Sequence, residues 1–195
     1  MTIAYLRLLR SDIDARDRSV VSAVDELAQQ LRDALEIRSS AIDAAHIHGA
    51  SSSRVQAIVS EVLKSQLGFR EEVVIRPEQG VVSRPRPDFF FPLGTNQGVI
   101  AEVERGGTVT NNHDLKDIWK AHISSETQHL FLVVPNANWN EAGGTRERPF
   151  ARVAHRLGAF FGDPRREIDV TTCHVFGYGR DALGPAPTSI GTDSA

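Results

Sequence analysis

The sequence predicts an α/β fold, a mixed β-sheet with helices on its faces. Three observations carry that expectation. Two amphipathic helical stretches open the chain, at 12–37 and 54–67. Three strand-like runs then follow closely, at 71–77, 83–92 and 98–105. Beyond them helices and strands alternate, with helices at 112–123 and 149–161 and strands at 129–135 and 171–179. The order α, α, β, β, β, α, β, α, β is that of helices laid on one sheet.

Each element has its own warrant. In 12–37, Val20, Val24, Leu27, Leu31 and Ala34 recur at steps of four and three, a helical stripe. Such a stripe packs on its own domain or, by the heptad rule, against a second copy of the chain. The polar link "HIHGASSS" supplies a serine to cap the next helix. That helix buries Val55, Ile58, Val59, Val62 and Leu63, with Glu61 at the edge of the same face, and Gly68 ends it. "EEVVIRP" is short and β-branched, "SRPRPDFFFP" is aromatic and closes on a proline, and "GVIAEVER" alternates. The helix at 112–123 is capped by Thr110 or the Asn111–Asn112 pair and turns Leu115, Ile118, Trp119 and His122 inward. "HLFLVVP" is apolar throughout, as a central strand covered on both faces must be. A loop follows, and Pro149 starts a helix with Phe150, Val153, Leu157 and Phe161 inward. "TTCHVFGYG" is the last strand. The expected organisation is a helical extension over 1–50, a core over 51–180 and a flexible tail over 181–195.

Composition narrows the classes of function. The chain has 195 residues, 41% of them hydrophobic and 24% charged, enough for one sizeable core. Its single cysteine, Cys173, excludes an intrachain disulfide and a cysteine-based zinc site. "MTIAYLRLLR" lacks the apolar centre and small-residue cleavage site of a signal peptide, and no apolar run reaches the length of a membrane span. A cytoplasmic protein with no membrane partner is expected. The net charge of −3 makes no overall case for nucleic acid, so any such case rests on local patches. The densest patch holds Arg146, Arg148, Arg152, Arg156, Arg165 and Arg166, with Arg152 and Arg156 one turn apart on the outer face of their helix. Trp139, in the loop beyond the central strand, has two readings, a base-stacking ring or a packed one.

The chemistry concentrates in "RPRPDFFFPLGTNQGVIAEVERGGT", residues 84–108. Glu102 and Glu104 are two apart on one strand and face the same side, with Ala101, Val103 and Ile100 packing elsewhere. Their carboxylates are about 6 to 7 Å apart, two strand rises. If the flanking strands pair, Asp88 arrives beside Glu102. Like charges so gathered repel and raise at least one pKa. A divalent cation relieves that conflict, and hard carboxylate oxygens suit Mg²⁺ or Mn²⁺. Lys116 and Lys120, two of only three lysines in the chain, lie on the next helix, and Arg84 and Arg86 share a side with Asp88.

"RPD", a gap of thirteen residues, then "EVE" with "IA" before it, resembles the PD-(D/E)XK nuclease superfamily, the restriction-endonuclease-like fold. The resemblance covers roughly 54–179, including a preceding helix with Glu61 and the downstream helix and strand. Glu104 stands where most members have lysine, although a subset of type II restriction endonucleases also carries Glu-X-Glu. The resemblance implies a metal-dependent endonuclease of restriction or defence type, acting on double-stranded DNA, with a homodimer addressing two strands. It implies that Asp88 and Glu102 ligate the metal with the Val103 carbonyl, and that Glu61 holds a second metal or a water. Glu104 orients or deprotonates the attacking water, and Lys116 replaces the missing motif lysine. Arg84, Arg86, Lys120, Arg152 and Arg156 are the residues expected to contact nucleic acid, the alternative for them being a solvated, salt-bridged face. Two other readings stand beside it. One keeps the fold as an inactive nucleic-acid-binding or structural protein, and the other is a metal-free carboxylate-pair hydrolase of sugars.

Overall fold

The computed structural model describes residues 3–75, 85–104, 108, 110–163 and 168–181. Its strands are β1 (Ala4–Leu9), β2 (Arg70–Glu71), β3 (Phe89–Gly94), β4 (Gln97–Val103), β5 (His129–Pro135), β6 (Asn138–Trp139), β7 (Thr145–Glu147) and β8 (Thr172–Tyr178). Its α-helices are α1 (Ala15–Ile37), α2 (Ser39–Ala45), α3 (Ser52–Glu61), α4 (His113–His122) and α5 (Pro149–Gly158). Six strands form one mixed sheet in the order β1-β8-β5-β4-β3-β2. β4, β5 and β8 run parallel, while β1, β3 and β2 are antiparallel to their neighbours. The chain is thus α/β with a mixed sheet flanked by helices.

Each face of the sheet carries its own core. One joins α1, α2 and α3 to Phe89, Val99, Ala101, Phe131, Val133 and Phe176. The other joins α4 and α5 to Phe90, Ile100, Leu130, Leu132, Val134 and Val175. Alternate residues of β4 and β5 feed opposite cores, so both strands are buried on both faces.

The N-terminal segment differs from the expected extension. β1 is an edge strand of the same sheet, paired with β8 from Ala4 opposite Gly177 to Leu9 opposite Thr172. The α1 stripe at Val24, Leu27, Leu31 and Ala34 is buried in the sheet core, with Val20 packed against it. The stripe is therefore consumed by its own domain and is not a free dimer surface. α3 continues into a π-helical turn, Val62–Gln66, and Gly68 ends it at φ +77°. Of the strand expected at 71–77, the described residues form only Arg70–Glu71, with 76–77 outside them, and the loop after β5 contains the β6–β7 hairpin. Arg84, Arg165, Arg166, Gly106, Gly107 and most of the expected tail lie outside the described residues. No helix among the described residues is long and apolar enough to cross a membrane.

Candidate active site

β3 and β4 pair with Phe89 opposite Ala101, which carries Asp88 to Glu102. Two bonds hold them there. The Asp88 amide donates to Glu102 Oε2 at 3.3 Å, and the Val103 amide donates to Asp88 Oδ2 at 3.1 Å. The expected pairing of these strands is observed, and it brings Asp88 beside Glu102, each carboxylate accepting from the other segment's backbone.

Glu102 is only 2% exposed. It shares its side of β4 with Ile100, correcting the expectation that Ile100 packs away from it, and that side faces α4. α4 buries Asp114, Asp117, Ile118 and Ala121, while Trp119 is exposed. The inward arc is therefore turned from the one expected on Leu115 and Trp119. That rotation corrects the choice of lysine. Lys116 is exposed, whereas Lys120, about 40° nearer the buried arc at 100° per residue, reaches inward. Lys120 Nζ lies 2.8 Å from Glu102 Oε1 and 3.0 Å from Asp117 Oδ1.

One ammonium thus serves two buried carboxylates, with Asp88 and Glu104 adding negative potential. Burial, reinforced by Asp117 and opposed by Lys120, pushes Glu102 up to about 9. Burial likewise pushes Asp117 up to about 7 against the pull of Lys120. Burial alone would lower Lys120, but Asp117 and Glu102 hold it above its ordinary value. Glu102 and Asp117, buried around one shared lysine, retain protons at pH values where free carboxylates have lost them. Asp117 Oδ2 is buried with no hydrogen-bond partner among the described residues.

Glu104 is fixed just past the end of β4. Its amide donates to the Val133 carbonyl at 2.8 Å, and its carbonyl accepts from the Tyr178 hydroxyl at 2.9 Å. Its carboxylate meets His113 Nδ1 at 2.8 Å, the first residue of α4. Glu102 and Glu104 both reach α4, as their spacing requires.

The other expected site residues fall elsewhere. Glu61 is 63% exposed and pairs with Arg38 at 3.5 Å, so its position at the edge of a buried face is corrected. Arg86 is exposed and paired with Glu72. Arg156 is not on an outer face. Its Nη2 lies 2.8 Å from Asn112 Oδ1 and 3.2 Å from the buried Asp114 Oδ1, tying α5 to the start of α4. Asn112, in the left-handed region at φ 54°, makes no capping bond. Arg152 is exposed and, with Arg146, Arg148, Thr110 and Thr145, lines an open groove of about 910 Å³. Two site residues were missed, Asp117 and His113. Asp117 had a signal, its place three residues before Lys120.

The donors fit a hard cation in kind: carboxylate oxygens, one of them buried without a partner. As they stand, no three His, Cys, Asp or Glu side chains among the described residues are gathered to hold a metal ion. The Lys120 ammonium lies between Glu102 and Asp117 instead. No family model matches the chain, and no curated protein matches it either.

Proposed function

We propose that the chain is a metal-dependent nuclease hydrolysing DNA phosphodiester bonds, an endonuclease of restriction or defence type with a PD-(D/E)XK-like core. The observation that carries this reading is the meeting of Asp88 and Glu102 across β3 and β4 beneath Lys120. The order α3, β2-β3-β4 meander, α4, then β5 parallel to β4 supports the restriction-endonuclease-like comparison.

In this reading Asp88 and Glu102 hold Mg²⁺ or Mn²⁺, and Asp117 Oδ2 is a further oxygen donor. When bound, the ion supplies Lewis acidity toward the phosphoryl oxygen and offsets charge in the transition state. Lys120 takes the part of the motif lysine from the helix, its ammonium able to pass from carboxylate to phosphate. Glu104 accepts the proton of the attacking water, and His113 orients its carboxylate. Arg146, Arg148 and Arg152 meet backbone phosphates along their groove.

A second reading keeps the fold without catalysis, as a nucleic-acid-binding or structural protein. Its support is that Lys120 already pairs with Glu102 and with Asp117 Oδ1. Nicking of a supercoiled plasmid separates them. The nuclease reading expects Mg²⁺- or Mn²⁺-dependent nicking that is lost in Asp88→Ala and Glu102→Ala and in chelator. No cleavage of DNA or RNA with either metal favours the second reading, and cleavage undiminished in chelator contradicts both.

A further inference from the structure

Lys120 stands where a bound cation would. Its Nζ lies 2.8 Å from Glu102 Oε1 and 3.0 Å from Asp117 Oδ1, so one positive charge serves two buried carboxylates. The frame around it does not depend on the ammonium. Glu102 Oε2 accepts from the Asp88 amide, Asp88 Oδ2 accepts from the Val103 amide, and the pairing of β3 with β4 holds both segments in register. These oxygens keep their places when the lysine leaves.

Two observations point to a second occupant. Asp117 is only 2% exposed, yet its Oδ2 has no hydrogen-bond partner among the described residues. A buried acceptor left unmet is costly, and Lys120, engaged with Oδ1, does not relieve it. Negative charge also exceeds positive here. Asp88 and Glu104 add to the potential around Glu102 and Asp117, and Lys120 is the one cation paired with either among the described residues.

The lysine has a way out. Its side chain is a quarter exposed, at the margin of the buried arc of α4, and its four-carbon stem is flexible. A divalent ion drawn to the same oxygens repels the ammonium, and rotation of the stem carries Nζ to solvent or to a phosphate.

We propose that Lys120 is a gate, the resident counter-ion of the carboxylate site, which swings out when a divalent cation enters. An anion that draws Lys120 away, such as a substrate phosphate, therefore raises the affinity for the ion, and the ion raises the affinity for that anion by the same factor. The gate rests on the metal site of the nuclease reading, but not on cleavage.

The test is the reactivity of the lysine in the full chain. The sequence has three lysines, Lys64, Lys116 and Lys120, so acetylation by N-hydroxysuccinimide acetate is followed at each by mass spectrometry. Lys116 is exposed and serves as the reference. Saturating Mg²⁺ is expected to raise acetylation of Lys120 relative to Lys116 at least about fivefold over Na⁺ at equal ionic strength. The rise is expected to vanish in Asp88→Asn, which leaves the partners of Lys120 in place. No rise with Mg²⁺, an equal rise with Na⁺, or a rise retained in Asp88→Asn overturns the gate. Should Asp88→Asn fail to fold, the comparison of Mg²⁺ with Na⁺ on the unaltered chain decides alone. Plasmid nicking without exposure of Lys120 removes the gate and leaves the nuclease. Exposure of Lys120 without nicking does the reverse.

Discussion

Lys120→Met removes the one ammonium that Glu102 and Asp117 share while keeping an apolar stem of similar length. At 2.8 Å and 3.0 Å, each attraction is about 6 kcal/mol at an effective dielectric of about 20. Most of that offsets the cost of taking three charges out of water. Removing one partner of such a pair costs about 3 kcal/mol or more, because the remaining charge is left buried. The carboxylates escape part of the cost by binding protons, to which burial already inclines them. The loss therefore depends on pH. Urea unfolding should show about 3 kcal/mol lost near pH ~8. Near pH ~5, where both groups are protonated, about 1 kcal/mol for the missing hydrogen bonds remains. A loss no larger near pH ~8 than near pH ~5 would refute the idea that Lys120 neutralises ionised carboxylates.

Other expectations follow from the same geometry. Glu102 and Asp117 bind protons more tightly folded than at their ordinary values of 4.5 and 3.8. Stability from those protons is complete below the ordinary values and is lost as pH rises through about 7 and then about 9. In chelator the thermal midpoint should fall over that window, and a midpoint rising from neutral to alkaline pH would contradict the assignment. Arg152→Ala should weaken duplex binding and lower the slope of log K against log salt by about 0.9. An unchanged slope would take Arg152 off the phosphate track. Gly177→Ala would drive a methyl into Asn136 Oδ1 and within 2.8 Å of Phe150. The same asparagine holds the Gly177 and Gly179 carbonyls, so about 3 kcal/mol should be lost in denaturant titration. A loss under about 1 kcal/mol would show that this end of β8 repacks freely.

Much of the sheet was legible because its strands are chemically distinct. Residues 130–134 are apolar without a break, and β4 is apolar from Val99 to Ala101 before its first glutamate. Asp88 and Glu102 were legible together because an antiparallel pair with a short connection sets the register. β1 was not legible. Tyr5, Arg7 and Leu9 alternate with Leu6 and Leu8, but at an edge strand either face tolerates polar groups, and the run resembled a plain terminus. The choice between Lys116 and Lys120 failed for an electrostatic reason. Apolar periodicity places Leu115 and Trp119 inward, whereas α4 turns Asp114 and Asp117 in, one toward Arg156 and the other toward Lys120. Periodicity cannot foresee buried acids whose partners come from distant segments or from one's own helix.

The central claim is that Asp88, Glu102 and their neighbours form one site for a divalent cation. Calorimetric titration of the full chain with Mn²⁺ near pH ~8, in buffers of different ionisation enthalpy, tests it most directly. Saturable binding with release of the proton held by Glu102, lost in Asp88→Asn, is expected. A titration without binding heat in every buffer, or binding unchanged by Asp88→Asn, would contradict it.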